Sequence, residues 1–204
     1  MLDVRLVAAT AFAGESALTD AEAAVEFAAR LSGSTLAAAP LLRELVDSGR
    51  VGLLDHASAT LHVTGISRDA ARTVLAHEGF AVQERVRLST VPPATIAHDE
   101  DLRQLFDSAV EEARFVHDEL LRAIEESLGG EPNVLARRKR AEEAAAALLP
   151  GAAEMELVVT GTYRAWREFC QAHNGEYEHP EVKEFVSATR TVLQDQAPLL
   201  MEDL

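Results

Sequence analysis

The sequence is poor in cysteine, in positive charge and in long apolar runs, and each shortage excludes something. Cys170 is the only cysteine, so no internal disulfide can form. Only 19 Lys and Arg stand against 34 Asp and Glu, a net charge of −15. The average surface therefore repels nucleic acid and anionic lipid, and a polyanionic partner would need a local basic patch. No apolar stretch approaches the roughly 20 residues of a membrane span. The opening MLDVRLVAAT also lacks the basic and apolar regions of a signal peptide. The expectation is a cytoplasmic protein with no nucleic-acid and no membrane partner. Internal repeats, low-complexity linkers and breaks in composition are missing too. What is present is 204 residues, 48% of them apolar, enough for one sizeable core, so a single domain over 1–204 is expected.

Periodicity gives the elements. VRLVAAT (4–10) reads as a short buried strand. Thr19 and Glu22 sit three apart ahead of AAVEFAARL, the arrangement of a capping box. A second helix, LAAAPLLRELVDSG, stops at Gly49. SATLHVTG (58–65) alternates apolar and polar as a strand does, and Ser67 caps a helix that ends near Gly79. VQERVRLS reads as another short strand. From Asp101 to Leu128, residues Leu102, Leu105, Phe106, Ala109, Ala113, Val116, Leu120, Ile124 and Leu128 recur at spacings of three and four. That pattern predicts one long amphipathic helix, roughly 40 Å in length, with the stripe buried. A stripe this long on a small domain calls for a partner surface, so a homo-oligomer is expected. Gly129-Gly130 breaks the helix, and Pro132 opens the next one, through ARRKRAEEAAAALL to Pro150. A last helix, EVKEFVSATRTVLQ, follows Pro180. The fold class is α+β, helix-rich, with a central, mostly antiparallel sheet.

LVVTGTYRAWREF (157–169) hands a strand to a helix through a Thr-Gly-Thr turn, with Arg164 and Arg167 early in the helix. Such an entry is a common way to hold an anion, and both arginines are candidates for one. The competing reading pairs them with Glu168 and neighbouring carboxylates. ARRKR (136–140) is the one dense basic cluster and reads first as a solvated helix face. Arg85 and Arg87 alternate on a strand, face the same way, and are candidates for binding an anionic substrate. His173, Glu176 and His179 lie three apart, a weak metal-ligand pattern in a polar loop, and no metal site is assigned. Cys170 and Trp166 fall in apolar patterns as packing residues, and His56 and His62 read as structural.

The segments VEFAARL, LLDHASATLHVTGISR, EPNVLARRKRAEEAAAALLP, ELVVTGTYRAWREF and APLLMEDL together carry a resemblance. In their order, and over nearly the whole length, the chain resembles the flavin-dependent thymidylate synthases. The resemblance implies an α+β homotetramer in which FAD, NADPH and a folate methylene donor convert dUMP to dTMP at sites shared between subunits.

The positions the family uses for its ligands have changed here. Where the family carries Arg-His-Arg, this chain has Ala76, His77 and Glu78, and the downstream family positions are Ala81, Val86 and Leu88. The family's His-x-Ser/Thr falls on Arg50, Val51 and Gly52, with Asp55-His56 in place of its Glu-His. A nucleotide-binding Arg is replaced by Ala146, the Asn of Asn-x-Arg by Thr162, the uracil-polarising Arg by His173, and a flavin-side His by Tyr177. His77 and Arg164 survive and are the candidate cofactor-binding residues. A charge-assisted hydrogen bond to an anion contributes on the order of 1.5–3 kcal/mol. Losing about four of them subtracts roughly 6 kcal/mol, about four decades in affinity, and non-additivity at most halves that. No catalytic residue is assigned, no cofactor is firmly expected, and FAD is expected to bind weakly if it binds. The leading expectation is a non-catalytic oligomer, a tetramer as in the family, with an authentic synthase as a candidate hetero-partner. The alternative is a diverged flavin- or nucleotide-binding enzyme, and retained dTMP synthesis ranks last.

Overall fold

The computed structural model describes residues 1–96 and 98–204, and of Leu88 the backbone alone. The described chain is α+β. It forms two compact units, one of Met1–Arg85 with Met155–Leu204 and the other Val86–Glu154.

The first unit contains β1 (Asp3–Ala9), α1 (Asp20–Arg30), α2 (Ala38–Asp47), a 3-10 turn (Val51–His56), β2 (Ser58–Ser67) and α3 (Arg68–Leu75). It also holds the start of β3 (Phe80–Thr90), the end of β4 (Ala153–Thr162), α6 (Tyr163–Ala172) and α7 (Pro180–Gln196). The strands are ordered β1-β2-β4-β3. β1 runs antiparallel to β2, with Val4 opposite Val63 and Leu6 opposite Leu61. Thr60 Oγ1 meets Thr160 Oγ1 at 2.9 Å, and His62 Nε2 meets Glu156 Oε1 at 3.0 Å, the opposed numbering of an antiparallel pair.

Side chains alternate across a strand, and these strands use the alternation fully. Ala59, Leu61 and Val63 of β2 and Met155, Leu157 and Val159 of β4 are buried, while Thr60, His62, Glu156 and Thr160 lie on the half-exposed face. The buried face joins a core of Trp166, Tyr163, Phe169, Phe185, Leu41, Leu42, Leu45, Leu54, Ile66 and Leu193. Each such side chain contributes about 1.5–3 kcal/mol by leaving water. The expectation of a buried first strand fails, because no residue of β1 is buried and Val7 is 59% exposed. An apolar run reads alike at the edge and the centre of a sheet, and β1 is at the edge.

The caps follow the sequence. Ser67 Oγ accepts from Ala70 N at 3.2 Å, and the same hydroxyl donates to Glu181 Oε2 at 2.6 Å. Thr19 N donates to Glu22 Oε2 at 3.3 Å, one arm of the expected capping box. The other oxygen of Glu22, a buried residue, accepts from Leu199 N at 2.7 Å. Gly65 has φ +73° and packs against the Met1 carbonyl, so only a residue without Cβ fits there.

The second unit contains α4 (Glu100–Ser127) and α5 (Val134–Ala145). Asp99 caps α4, its Oδ1 accepting from Leu102 N at 3.1 Å. Asn133 rather than Pro132 sets the start of α5, its Oδ1 accepting from Leu135 N and Ala136 N, both at 3.1 Å. The expected stripe of α4 divides in two. Val110 and His117 are buried, and Phe106, Ala113, Leu120, Ile124 and Leu128 are half-buried. Leu102, Leu105, Ala109 and Val116 are exposed, with Leu105 at 69%. A stripe with spacings of three and four can wrap two neighbouring faces of one helix, and this chain covers only one of them.

Candidate functional site

The site begins where β4 ends. Gly161 lets Phe80 lie against the backbone, since a Cβ there would stand 2.7 Å from two of its ring carbons. Thr162 then caps α6, its Oγ1 accepting from Ala165 N at 3.2 Å, while Tyr163 N donates to Ala57 O at 2.9 Å. Two amides at this helix start, those of Tyr163 and Ala165, thus already have partners.

Arg164 also has a partner. Its Nε donates to Asp55 Oδ1 at 2.9 Å and its Nη2 lies 2.8 Å from Asp55 Oδ2. Thr162 Oγ1 donates to the same Oδ1 at 2.8 Å. Glu168 stands farther off, 3.9 Å from Arg164 Nη1. Burial acts to raise the Asp55 carboxyl, but the hydrogen bonds from Arg164 and Thr162 outweigh it and hold the group below the usual carboxylate range. The Asp55 bond in turn raises Arg164. Thr162 and Arg164, which head α6, are thus tied to the 3-10 turn.

His77 follows the end of α3 and sits among aromatic rings. Its ring centroid lies 4.5 Å from Phe80 and 5.5 Å from Phe169, and Phe80 lies 4.3 Å from Trp166. Its Nε2 is buried with no hydrogen-bond partner among the described residues. Its sequence neighbours Ala76 and Glu78 are both exposed. No hydrogen bond or ion pair between His77 and Arg164 is found among the described residues.

Arg167 is paired elsewhere. It is 3% exposed, clamps both oxygens of Asp203 at 2.7 and 2.8 Å, and donates to Leu200 O at 2.6 Å. The sequence offered Glu168 as its partner, but the partner is 36 residues away in the chain. His173 Nδ1 meets Glu178 Oε2 at 2.6 Å, and its ring packs 4.7 Å from Phe169. The hydrogen bond from His173 and a second from the His179 amide hold Glu178 below its usual range. The loop therefore pairs His173 with Glu178 instead of Glu176, and no three His, Cys, Asp or Glu side chains converge among the described residues.

Arg85 is exposed and lines a recess of about 480 Å³ with Gln83, Glu84, Glu156 and Val158. In the second unit, Arg87 Nη1 lies 3.9 Å from Glu154, which also accepts from Ser89 Oγ at 2.5 Å. The basic cluster of α5 is largely compensated: Arg138 bonds Glu142 at 2.9 Å, Lys139 faces Glu143 at 3.8 Å and Arg140 faces Glu131 at 3.4 Å. Ala146 lies in a 3-10 turn after α5, and the Leu88 side chain is outside the described residues. Trp166 is fully buried and donates to Ala59 O at 3.2 Å, His56 is exposed, and His62 makes its bond to Glu156 across the sheet. Burial pushes the Cys170 thiol up to about 12, against the pull of Arg190 and Arg167, which keeps it an unreactive thiol.

The model of the thymidylate synthase complementing protein family matches residues 15–199. Among curated relatives, the chain is 37% identical over 225 residues to a flavin-dependent thymidylate synthase of Corynebacterium aurimucosum, covering 99% of this chain and 90% of that one. It is 34% identical over 226 residues to a protein of the same name from Corynebacterium diphtheriae, covering 100% and 90%. A Mycobacterium tuberculosis relative, also so named, is 34% identical over 224 residues, covering 99% and 89%.

Proposed function

Since the chain belongs to the thymidylate synthase complementing protein family, that of the flavin-dependent thymidylate synthases, we propose that it is a member that no longer methylates dUMP and serves as an oligomeric interaction protein. The observation that carries this is the state of Arg164, whose guanidinium is already taken by Asp55 at 2.9 and 2.8 Å. An anionic ligand would have to displace a carboxylate from its fork. Ala76, Glu78, Ala146 and His173 stand where the resemblance puts arginines, so the charge that would draw a phosphate or stabilise a pyrimidine anion is missing.

The exposed apolar side of α4, with Leu102, Leu105, Phe115 and Val116, supports assembly. A homotetramer follows the family, and an authentic synthase is the hetero-partner the same surface would suit. No helix of the described residues is long and apolar enough to cross a membrane. We place the protein in the cytoplasm with the nucleotide metabolism of its relatives. A second reading, a diverged flavin- or nucleotide-binding enzyme, is favoured by two groups without partners among the described residues, His77 Nε2 and the exposed Arg85. Complementation of a thymidine-requiring bacterial strain by this chain alone separates the readings of synthase activity. No growth is expected, and growth would overturn the proposal.

A further inference from the structure

β1 is an edge of the sheet, with β2 on one side and no strand on the other among the described residues. Its outward amides and carbonyls can therefore pair with another chain. The regular part of this edge is short, because the register with β2 slips between Leu6 and Ala8. Before that slip, Val4 and Leu6 are half-buried and lie opposite Val63 and Leu61 on the core face. Asp3 and Arg5 point the other way, 48% and 65% exposed, and pair with each other along the strand at 2.7 Å.

Two copies of one strand pair antiparallel about a two-fold axis only if the axis passes through a residue, because opposed side chains must share a face. The choice of that residue fixes every opposed pair. Centred on Asp3 or on Arg5, like charges meet. Centred on Leu6, Asp3 faces Ala9 and Arg5 faces Val7, and centred on Leu2, Asp3 faces Met1. Centred on Val4, Asp3 faces Arg5 on both sides of the axis, Leu2 faces Leu6, and Val4 faces its own copy. We propose that β1 is a self-complementary edge through which two copies of this chain join, antiparallel about Val4, so that two four-stranded sheets become one. Each Arg5 exchanges the carboxylate on its own strand for the one across the axis, and no charge is left unpaired. Exposed ion pairs add little affinity, so Asp3 and Arg5 set the register, while the backbone ladder and the Leu2, Val4 and Leu6 side chains supply the attraction. This inference goes beyond the reading of the chain as a non-catalytic member and makes no use of α4.

Sedimentation equilibrium of the full chain tests the register by charge exchange. Asp3→Arg and Arg5→Asp each set like charges against one another at two symmetry-related places, and each is expected to weaken association at least about tenfold. The double variant Asp3→Arg/Arg5→Asp restores opposite charges across the axis and is expected to return to within about threefold of the wild type. A double variant as weak as the singles overturns the proposal. Single variants that associate as the wild type does also overturn it, and leave Asp3 and Arg5 as guards that keep other strands off the edge. A cross-link tests the axis independently of affinity. Two Val4 Cα atoms on the axis would stand about 4.5–5.5 Å apart, within disulfide range, and two Val7 Cα atoms about 20 Å apart. On mild oxidation with diamide, Val4→Cys is expected to run as a covalent dimer in a non-reducing gel and Val7→Cys as a monomer, with the buried Cys170 silent in both. A Val4→Cys chain that stays monomeric, or a Val7→Cys chain that cross-links as fast, overturns the proposal. Growth in the complementation assay would overturn the non-catalytic reading alone, which keeps the two failures distinct.

Discussion

Arg167 closes on both carboxylate oxygens of Asp203, at 2.7 and 2.8 Å, from a position that is itself 3% exposed. A third bond, to Leu200 O at 2.6 Å, makes this guanidinium the tie between α6 and the C-terminal segment. Arg167→Ala leaves that carbonyl without its donor and Asp203 without its counter-ion. Because the Asp203 side chain is 47% exposed and water can replace part of the loss, the expected cost is about 2 kcal/mol. Urea unfolding measures it. Arg167→Lys is expected to recover less than half, since an ammonium cannot reproduce the two-pronged contact.

Acid is expected to destabilise the protein. Asp55, Glu178, Glu202 and Asp203 all lie below their usual range, the last three held there chiefly by hydrogen bonds from His173, Arg43 and Arg167 respectively. The unfolded chain therefore takes up protons at these groups before the folded one. Their contribution is fully present above the ordinary carboxylate pKa of about 4 and is lost as pH falls through the lower folded values. Urea midpoints from pH 7 downward are expected to hold until about pH 5 and then decline. A midpoint that rises below pH 4 would contradict this.

Gly161→Ala is expected to disturb the aromatic cluster. The added Cβ would stand 2.7 Å from Phe80 and 3.3 Å from Trp166 Nε1, so a ring must shift in a close-packed core. A loss of about 1–3 kcal/mol follows from overpacking. Near-UV circular dichroism from the single tryptophan reports the displacement, and an unchanged spectrum with unchanged stability would contradict it.

Leu105, 69% exposed on α4, tests assembly without touching the core. Leu105→Glu is expected to leave the fold intact and to lower the molecular weight by light scattering. A stable wild-type monomer at micromolar concentration would refute the oligomer outright.

The sequence revealed what depends on neighbours along the chain. Ser67 and Asp99 announced their helices because a cap is a local contact, and Leu61 and Val63 announced a buried strand face because alternation is local too. Arg164 was legible as a candidate, but its pairing with Asp55 was not, since the two are 109 residues apart. Asp55 was visible only as a substitution in a Glu-His pair, and Thr162 only as a lost Asn, although both engage Arg164 or its partner. Arg167 was offered as an anion ligand for the same reason, its Asp203 lying beyond any local pattern. On α4 the period was right, and the buried face was shifted toward Val110 and His117, because period alone does not say which of two adjoining faces meets the rest of the chain.

The central proposal is that this chain lacks the positive charge that would hold FAD tightly. Titration of FAD into the purified protein, followed by flavin fluorescence, tests it most directly. A dissociation constant above about 100 µM, unchanged by Arg164→Ala, is expected if about four decades are lost from a tight site. A sub-micromolar constant abolished by Arg164→Ala would contradict it and establish this chain as a flavin-binding enzyme of its family.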